Sequence, residues 1–182
     1  MKKILIAVFA VVALAQWAAP LSMIWRSERV LNKGKVFRFE TMPVDPEDPL
    51  RGRYVSLDFK ATSSANFSGS LEHGDDVYAT IAADGQGYAY ITAVSENPPS
   101  NTNDYLSVKM NYFLSDSNAV VVEYPFEEFF LDEYKASVAE NLYLQSMRDS
   151  IGHTYALIHV YKGKGVISDL IINGKSVQAY FK

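Results

Sequence analysis

Residues 4–25, ILIAVFAVVALAQWAAPLSMIW, carry no charge, and this run constrains the chain more than anything after it. As a helix it would measure about 33 Å at about 1.5 Å per residue, enough to cross the hydrocarbon layer of a bilayer. A helix with no polar face cannot lie on a water-exposed domain surface. Lys2 and Lys3 precede the run and Arg26 closes it. Trp17 and Trp25 suit a membrane–water interface, and lipid tolerates a helix kinked at Pro20. Three outcomes stay open. The first is an uncleaved signal-anchor over residues 1–25. The second is a secretory signal, because the charged start, the apolar stretch and Ala13-Leu14-Ala15 fit cleavage after Ala15. The third is a helix buried in a soluble core.

Orientation carries a conflict. Lys2 and Lys3 favour a cytoplasmic N-terminus, whereas Arg26, Arg29, Lys33, Lys35 and Arg38 follow the run and argue the other way. The signal-like start and the Tyr/Asn/Ser-rich strands favour export. The expected location is therefore the bacterial cytoplasmic membrane, crossed once, with residues 26–182 as one domain facing the periplasm or exterior. Secretion after cleavage near Ala15 is the alternative.

The formal net charge is −4, and Lys2 and Lys3 belong to the leader, so the remainder is more acidic still. A nucleic-acid binder needs basic excess to neutralise phosphates, so that class is excluded. There is no Cys, which excludes disulfides, thiolate nucleophiles and zinc–sulfur sites.

The body predicts an α+β, mainly β fold: an antiparallel sheet or partly open barrel with one soluble helix. Segments 35–40 and 53–61 alternate as strands, the second with Val55, Leu57 and Phe59 on one face and Tyr54, Ser56 and Asp58 on the other. Between them, Pro43, Pro46 and Pro49 enforce a loop. Residues 62–70 read as a loop. Segments 76–83 and 88–94 form a hairpin around 84–87, and 105–113 and 118–124 form a second around Ser115-Asp116-Ser117. Over 126–147, Phe126, Phe129, Phe130, Tyr134, Val138, Leu142 and Leu144 lie near helical spacing, with acids crowding the N-terminal half. Segments 154–163, 165–174 and 175–182 close the fold as strands, with Asn173-Gly174 a type I′ turn signal.

Residues 43–59 read PVDPEDPLRGRYVSLDF. This resembles the GDYXXLXY family of bacterial proteins, whose motif falls here on Gly52-Arg53-Tyr54-Val55-Ser56-Leu57-Asp58-Phe59. The lead-in Pro43-Val44-Asp45-Pro46, Asp48 and Arg51 is also similar. The resemblance implies an anchor-plus-domain layout, no established activity, and an envelope assembly with a multi-spanning membrane neighbour. Two positions depart: Arg53 stands where the family name has Asp, and Phe59 where it has Tyr. A role needing a carboxylate at 53 or a hydroxyl at 59 cannot operate in this chain. On the residues alone, Gly52 permits a sharp entry into the strand, and the segment is either a structural corner or a binding patch of Asp45, Asp48, Arg51 and Tyr54.

Chemistry is otherwise sparse. His153 and His159 are too far apart on one strand to share a metal, and His73 sits in a turn by composition. No nucleophile elbow, P-loop or dinucleotide fingerprint occurs. Met42-Pro43 after the anchor is similar to the corresponding segment of signal-peptidase-like serine–lysine hydrolases, but Thr41 stands where the Ser nucleophile is needed. No catalytic residue, metal or cofactor is expected. The leading expectation is a non-catalytic module that binds another membrane or envelope protein. An envelope hydrolase acting on peptide or glycan, and a small-ligand binder using the face around Tyr54, are the alternatives.

Overall fold

The alternating apolar residues of Lys35–Met42 become strand β1, with Phe37 and Phe39 buried and Lys35, Val36 and Arg38 outward. The computed structural model describes residues 2–42, 54–64, 67, 72–114, 119–148 and 154–181. Before β1, helix α1 runs unbroken from Lys2 to Lys33 with Pro20 inside it. Its apolar side chains face outward: Phe9 is 73% exposed and Trp17 69%. Among its described residues the one fully buried is Val30, near its C-terminus, and the helix meets the strands Tyr155–Tyr161 and Lys164–Ile172. Among the residues described in full, which in α1 exclude Leu5, Ala7 and Ala10, no helix is long and apolar enough to cross a membrane.

Gly34 joins helix to sheet. Its N–H donates to the Val30 carbonyl at 2.7 Å, and a Cβ here would come within 2.5 Å of that oxygen and 3.1 Å of the Val160 carbonyl. Only glycine lets the chain turn this tightly from α1 into β1.

The strands after β1 are β2 (Tyr54–Ser56), β3 (Asp58–Phe59), β4 (Ser63–Ser64), β5 (Asp76–Ala83), β6 (Ala89–Ser95), β7 (Tyr105–Leu114), β8 (Ala119–Glu123) and β9 (Glu128–Phe130). Helix α2 (Glu133–Arg148) follows, then β10 (Tyr155–Tyr161), β11 (Lys164–Ile172), β12 (Lys175–Ser176) and a 3-10 helix, Val177–Phe181. One five-stranded sheet has the order β12-β11-β10-β1-β3 and the other β4-β8-β7-β5-β6, while among the described residues β2 pairs only with β9. All the strand pairs among the described residues are antiparallel, and isolated parallel bridges between Arg38 and Tyr88 and between Leu106 and Gly163 link the two large sheets. The result is the mainly β, partly open barrel expected.

One core lies between the sheets. At its centre Phe39, Phe59, Tyr124 and Phe126 meet: Phe39 stands edge-on to the other three rings, and Tyr124 stacks on Phe126 with centroids 5.2 Å apart. Such pairs add about 0.5–1.5 kcal/mol each beyond their burial. The Tyr124 hydroxyl donates to the Ala61 carbonyl, which satisfies the one polar group of the cluster.

Both expected hairpins form, although Ser115-Asp116-Ser117 lies outside the described residues. Asn173 and Gly174 both have positive φ, 51° and 77°, as a type I′ turn requires. Lys162 and Gly163, the last two residues of the strand expected over 154–163, make a second such turn at φ 46° and 82°. Four further boundaries differ. The segment 53–61 is two short strands with different partners, because β2 pairs with β9 and β3 with β1. Residues 62–70 hold a two-residue strand, β4. The helix expected over 126–147 begins at Glu133, because Phe129 pairs with Val55 in β9. The carbonyl of Asp132 then accepts the first helical N–H groups, from Lys135 and Ala136. The third closing strand stops at Ser176 and gives way to the 3-10 helix.

Candidate functional site

The motif strand sends alternate residues in opposite directions. Val55, Leu57 and Phe59 are buried; Ser56 and Asp58 are exposed. Leu57 and Phe59 are therefore core residues. Asp45, Asp48, Arg51, Gly52 and Arg53 lie outside the described residues. Of the expected binding patch, the structure places Tyr54, half-buried and paired with Phe130 across β2 and β9. Their rings are 5.8 Å apart, and Phe130 is 68% exposed. Phe130 also lines a groove of about 470 Å³ with Leu131, Lys135, Gln178 and Phe181. Lys135 lies over the Phe181 ring at 5.9 Å. This surface is aromatic, and its rim carries an ion pair, Lys135 with Asp132 at 3.0 Å.

On the other side of the motif strand, Ser56 and Asp58 line a cleft of about 460 Å³ with Met42, Tyr112, Glu123 and Glu127. Three carboxylates thus line one cavity, Asp58 from the motif strand and Glu123 and Glu127 from the end of β8 and the connection after it. The Glu127 carboxyl is raised above its ordinary value, first because partial burial penalises its charged form and then because Glu123, Asp58 and Glu128 repel it. The Leu57 N–H donates to the Glu127 carbonyl at 2.7 Å, which ties the rim to the motif. Sequence reasoning missed this group. Glu127 and Glu128 looked like helix N-terminal acids, and no spacing rule relates Asp58 to Glu123.

Beneath the cleft is a buried polar cluster. Thr41 Oγ1 donates to the Thr154 carbonyl at 2.9 Å, Ser146 and Thr154 share a hydrogen bond of 2.9 Å, and Tyr143 Oη donates to the Met42 carbonyl at 2.7 Å. Burial pushes the Tyr143 hydroxyl up to about 12, a hydrogen bond with Thr41 pulls the other way, and Asp58 adds to the rise. Thr41 is 3% exposed and committed to backbone, so it is no nucleophile for a serine–lysine type reaction. These residues clamp β1, α2 and β10 together.

Among the described residues no group of His, Asp and Glu could hold a metal. His73 Nδ1 meets the Asn111 carbonyl at 2.6 Å in an exposed turn. His153 lies outside the described residues, and His159 sits half-buried on β10 with Nδ1 unpaired.

A family model described as GDYXXLXY protein matches residues 16–170, most of the chain. Neither a curated protein nor a solved structure matches.

Proposed function

We propose that this chain, which belongs to the GDYXXLXY family, is a membrane-tethered, non-catalytic module of the bacterial envelope that binds another membrane or envelope protein. Residues 4–25 span the cytoplasmic membrane, and the β domain stands on the far side. One observation carries the tether: among the described residues of α1 the large apolar side chains from Ile4 to Trp25 stand exposed, and the first buried one is Val30. A contiguous apolar surface of this kind is not stable in water and needs lipid or protein around it. The proposed span draws on residues 4–10 as well as Val11–Trp25, because the latter alone is shorter than the roughly 20 residues a crossing needs. For the bound protein, the favoured surface is the aromatic one of Tyr54, Phe130 and Phe181. Exposed aromatics beside a rigid strand pair are what interface anchors use.

Carbonate extraction of membranes, with the intact mass of the retained protein, tests the tether. Retention at full mass is expected; release, or a mass matching cleavage near Ala15, would refute it. A photo-crosslinker at Phe130 tests the binding surface. It is expected to give a discrete adduct that the same group at Tyr90, exposed on β6, does not give. Equal, diffuse adducts at both would refute the assignment.

A second reading follows from the cleft. Asp58, Glu123 and Glu127 around one cavity, with Glu127 held toward its protonated form, are groups that an acid–base hydrolase of envelope glycan or peptide would use. Turnover of peptidoglycan fragments that Glu127→Gln abolishes would replace the binding reading with this one.

A further inference from the structure

The junction between α1 and the sheet leaves no linker. Trp25 ends the apolar run, Val30 is already buried against the domain, and Gly34 passes directly into β1. From Trp25 to Val30 the helix rises about 7 Å, and to Lys33 about 12 Å, at about 1.5 Å per residue. One headgroup layer is about 5–8 Å thick, the difference between a ~30 Å core and a ~40–45 Å bilayer shared by two faces. If residues 4–25 occupy the hydrocarbon, the base of the domain rests on headgroups.

That base is basic in an otherwise acidic chain. Arg26, Arg29 and Lys33 follow one another at three- and four-residue spacing on α1, so they share a face. Lys35 opens β1 opposite Val160, and Lys162 and Lys164 sit in and beside the β10–β11 turn at the same end of the sheet. All six are exposed. The neighbouring acids are Glu28, Glu96 on the adjoining loop, and Asp104, which is taken up by Lys35 at 3.3 Å. Among the described residues no ion pair involves Arg26, Arg29, Lys33, Lys162 or Lys164. Arg29 lies over the Trp25 ring at 4.0 Å, so a cation and an indole share the level where apolar run and domain meet.

We propose that Arg26, Arg29, Lys33, Lys35, Lys162 and Lys164 form a collar that binds anionic phospholipid headgroups and seats the domain on the membrane surface. The inference rests on the tether proposed above. It also resolves the orientation conflict of the sequence: the basic residues after the apolar run serve contact with lipid at the far face instead of retention in the cytoplasm. Each contributes about a fivefold preference for an anionic surface over a neutral one, screened by salt.

The chain has no Cys, so Asn103→Cys places a single fluorophore at the base. Asn103 is exposed, and its carbonyl accepts the Lys162 N–H at 2.9 Å. The full chain is reconstituted in nanodiscs of phosphatidylcholine alone or mixed with phosphatidylglycerol, each carrying a headgroup-linked quencher. Quenching is expected to rise at least about twofold with phosphatidylglycerol, and the rise to vanish at high salt and in Arg29→Glu/Lys162→Glu/Lys164→Glu. Lys175→Glu, an equal-sign change on β12, is expected to leave it intact. Equal quenching in both lipids, or the same loss with Lys175→Glu, would overturn the proposal. A chain that carbonate strips from the bilayer sinks the tether and the collar together; one that stays embedded yet ignores lipid charge sinks the collar alone.

Discussion

Tyr143 links α2 to β1 through a buried hydroxyl, and its titration predicts a defined alkaline weakness. In the folded chain the phenol is held up to about 12 against an ordinary value of 10.0, chiefly by burial. Below pH 10 both folded and unfolded chains keep the proton, and the stabilising contribution is constant. Between 10 and about 12 the unfolded chain releases the proton while the folded chain holds it. The unfolded state then binds fewer protons, so stability falls as pH rises through this window. At about 1.36 kcal/mol per pH unit, the whole loss is about 3 kcal/mol. Tyr124 is raised by burial too, and further, so it falls in parallel. Urea unfolding of the full chain in detergent, repeated from pH 9 upward, measures the loss. Tyr143→Phe should cost about 1 kcal/mol at neutral pH through the missing hydrogen bond to Met42. Above pH 10 it should remove about half of the alkaline fall, since one of two raised phenols is gone. An unchanged alkaline slope in Tyr143→Phe would refute the reasoning.

Further predictions concern packing. Gly165→Ala would drive a methyl into the Phe126 ring and to 2.9 Å from Leu106 Cδ2, so a loss of about 1–3 kcal/mol is expected by chemical denaturation; neutral behaviour would mean the ring can yield. Phe59→Tyr restores the family's residue but buries a hydroxyl among Phe39, Tyr124 and Phe126; a loss of about 1–3 kcal/mol is expected, and stabilisation would show that a partner waits there. Lys109→Ala breaks an exposed pair with Asp76 at 3.2 Å and should change the unfolding midpoint by under about 0.5 kcal/mol equivalent.

Local alternation was legible, and partnership was not. Val55, Leu57 and Phe59 were readable as one inward face because period two follows from the pleat alone. That the same short stretch would divide between β9 and β1 was not, since each partner is chosen by contacts far along the chain. The sequence 126–130 shows why a helix was overdrawn. Phe126 and Phe129 are three apart, which fits a helical face, yet a three-residue strand is too short to declare its own period. Asp132 then starts α2, whose buried stripe is Ala136, Ala139, Tyr143 and Ser146; of the expected helical positions, Val138 is exposed and Leu142 and Leu144 are half-buried. Lys162-Gly163 was missed because Lys is an unusual occupant of a positive-φ turn position.

The site divides along the same line. Tyr54 was nameable because a motif surrounds it; its neighbour Phe130 was not, because the ring reaches the motif only through β9. Asp58 lies far from Glu123 and Glu127 in the sequence, so only folding brings the three to one cleft. At Phe59, where the family name has Tyr, the ring closes the four-ring centre of the core, so the departure bears first on packing. Asp58, one residue earlier, keeps a carboxylate at the cleft and acts on both Glu127 and Tyr143. The motif strand therefore couples the two sides physically. Removing the Asp58 charge should lower the titration of Glu127 and of Tyr143 together, whereas Glu123→Gln should lower Glu127 alone. Residue-resolved NMR titration of the two groups in each variant checks this, and a Tyr143 unmoved by Asp58→Asn would show that cleft and clamp are independent.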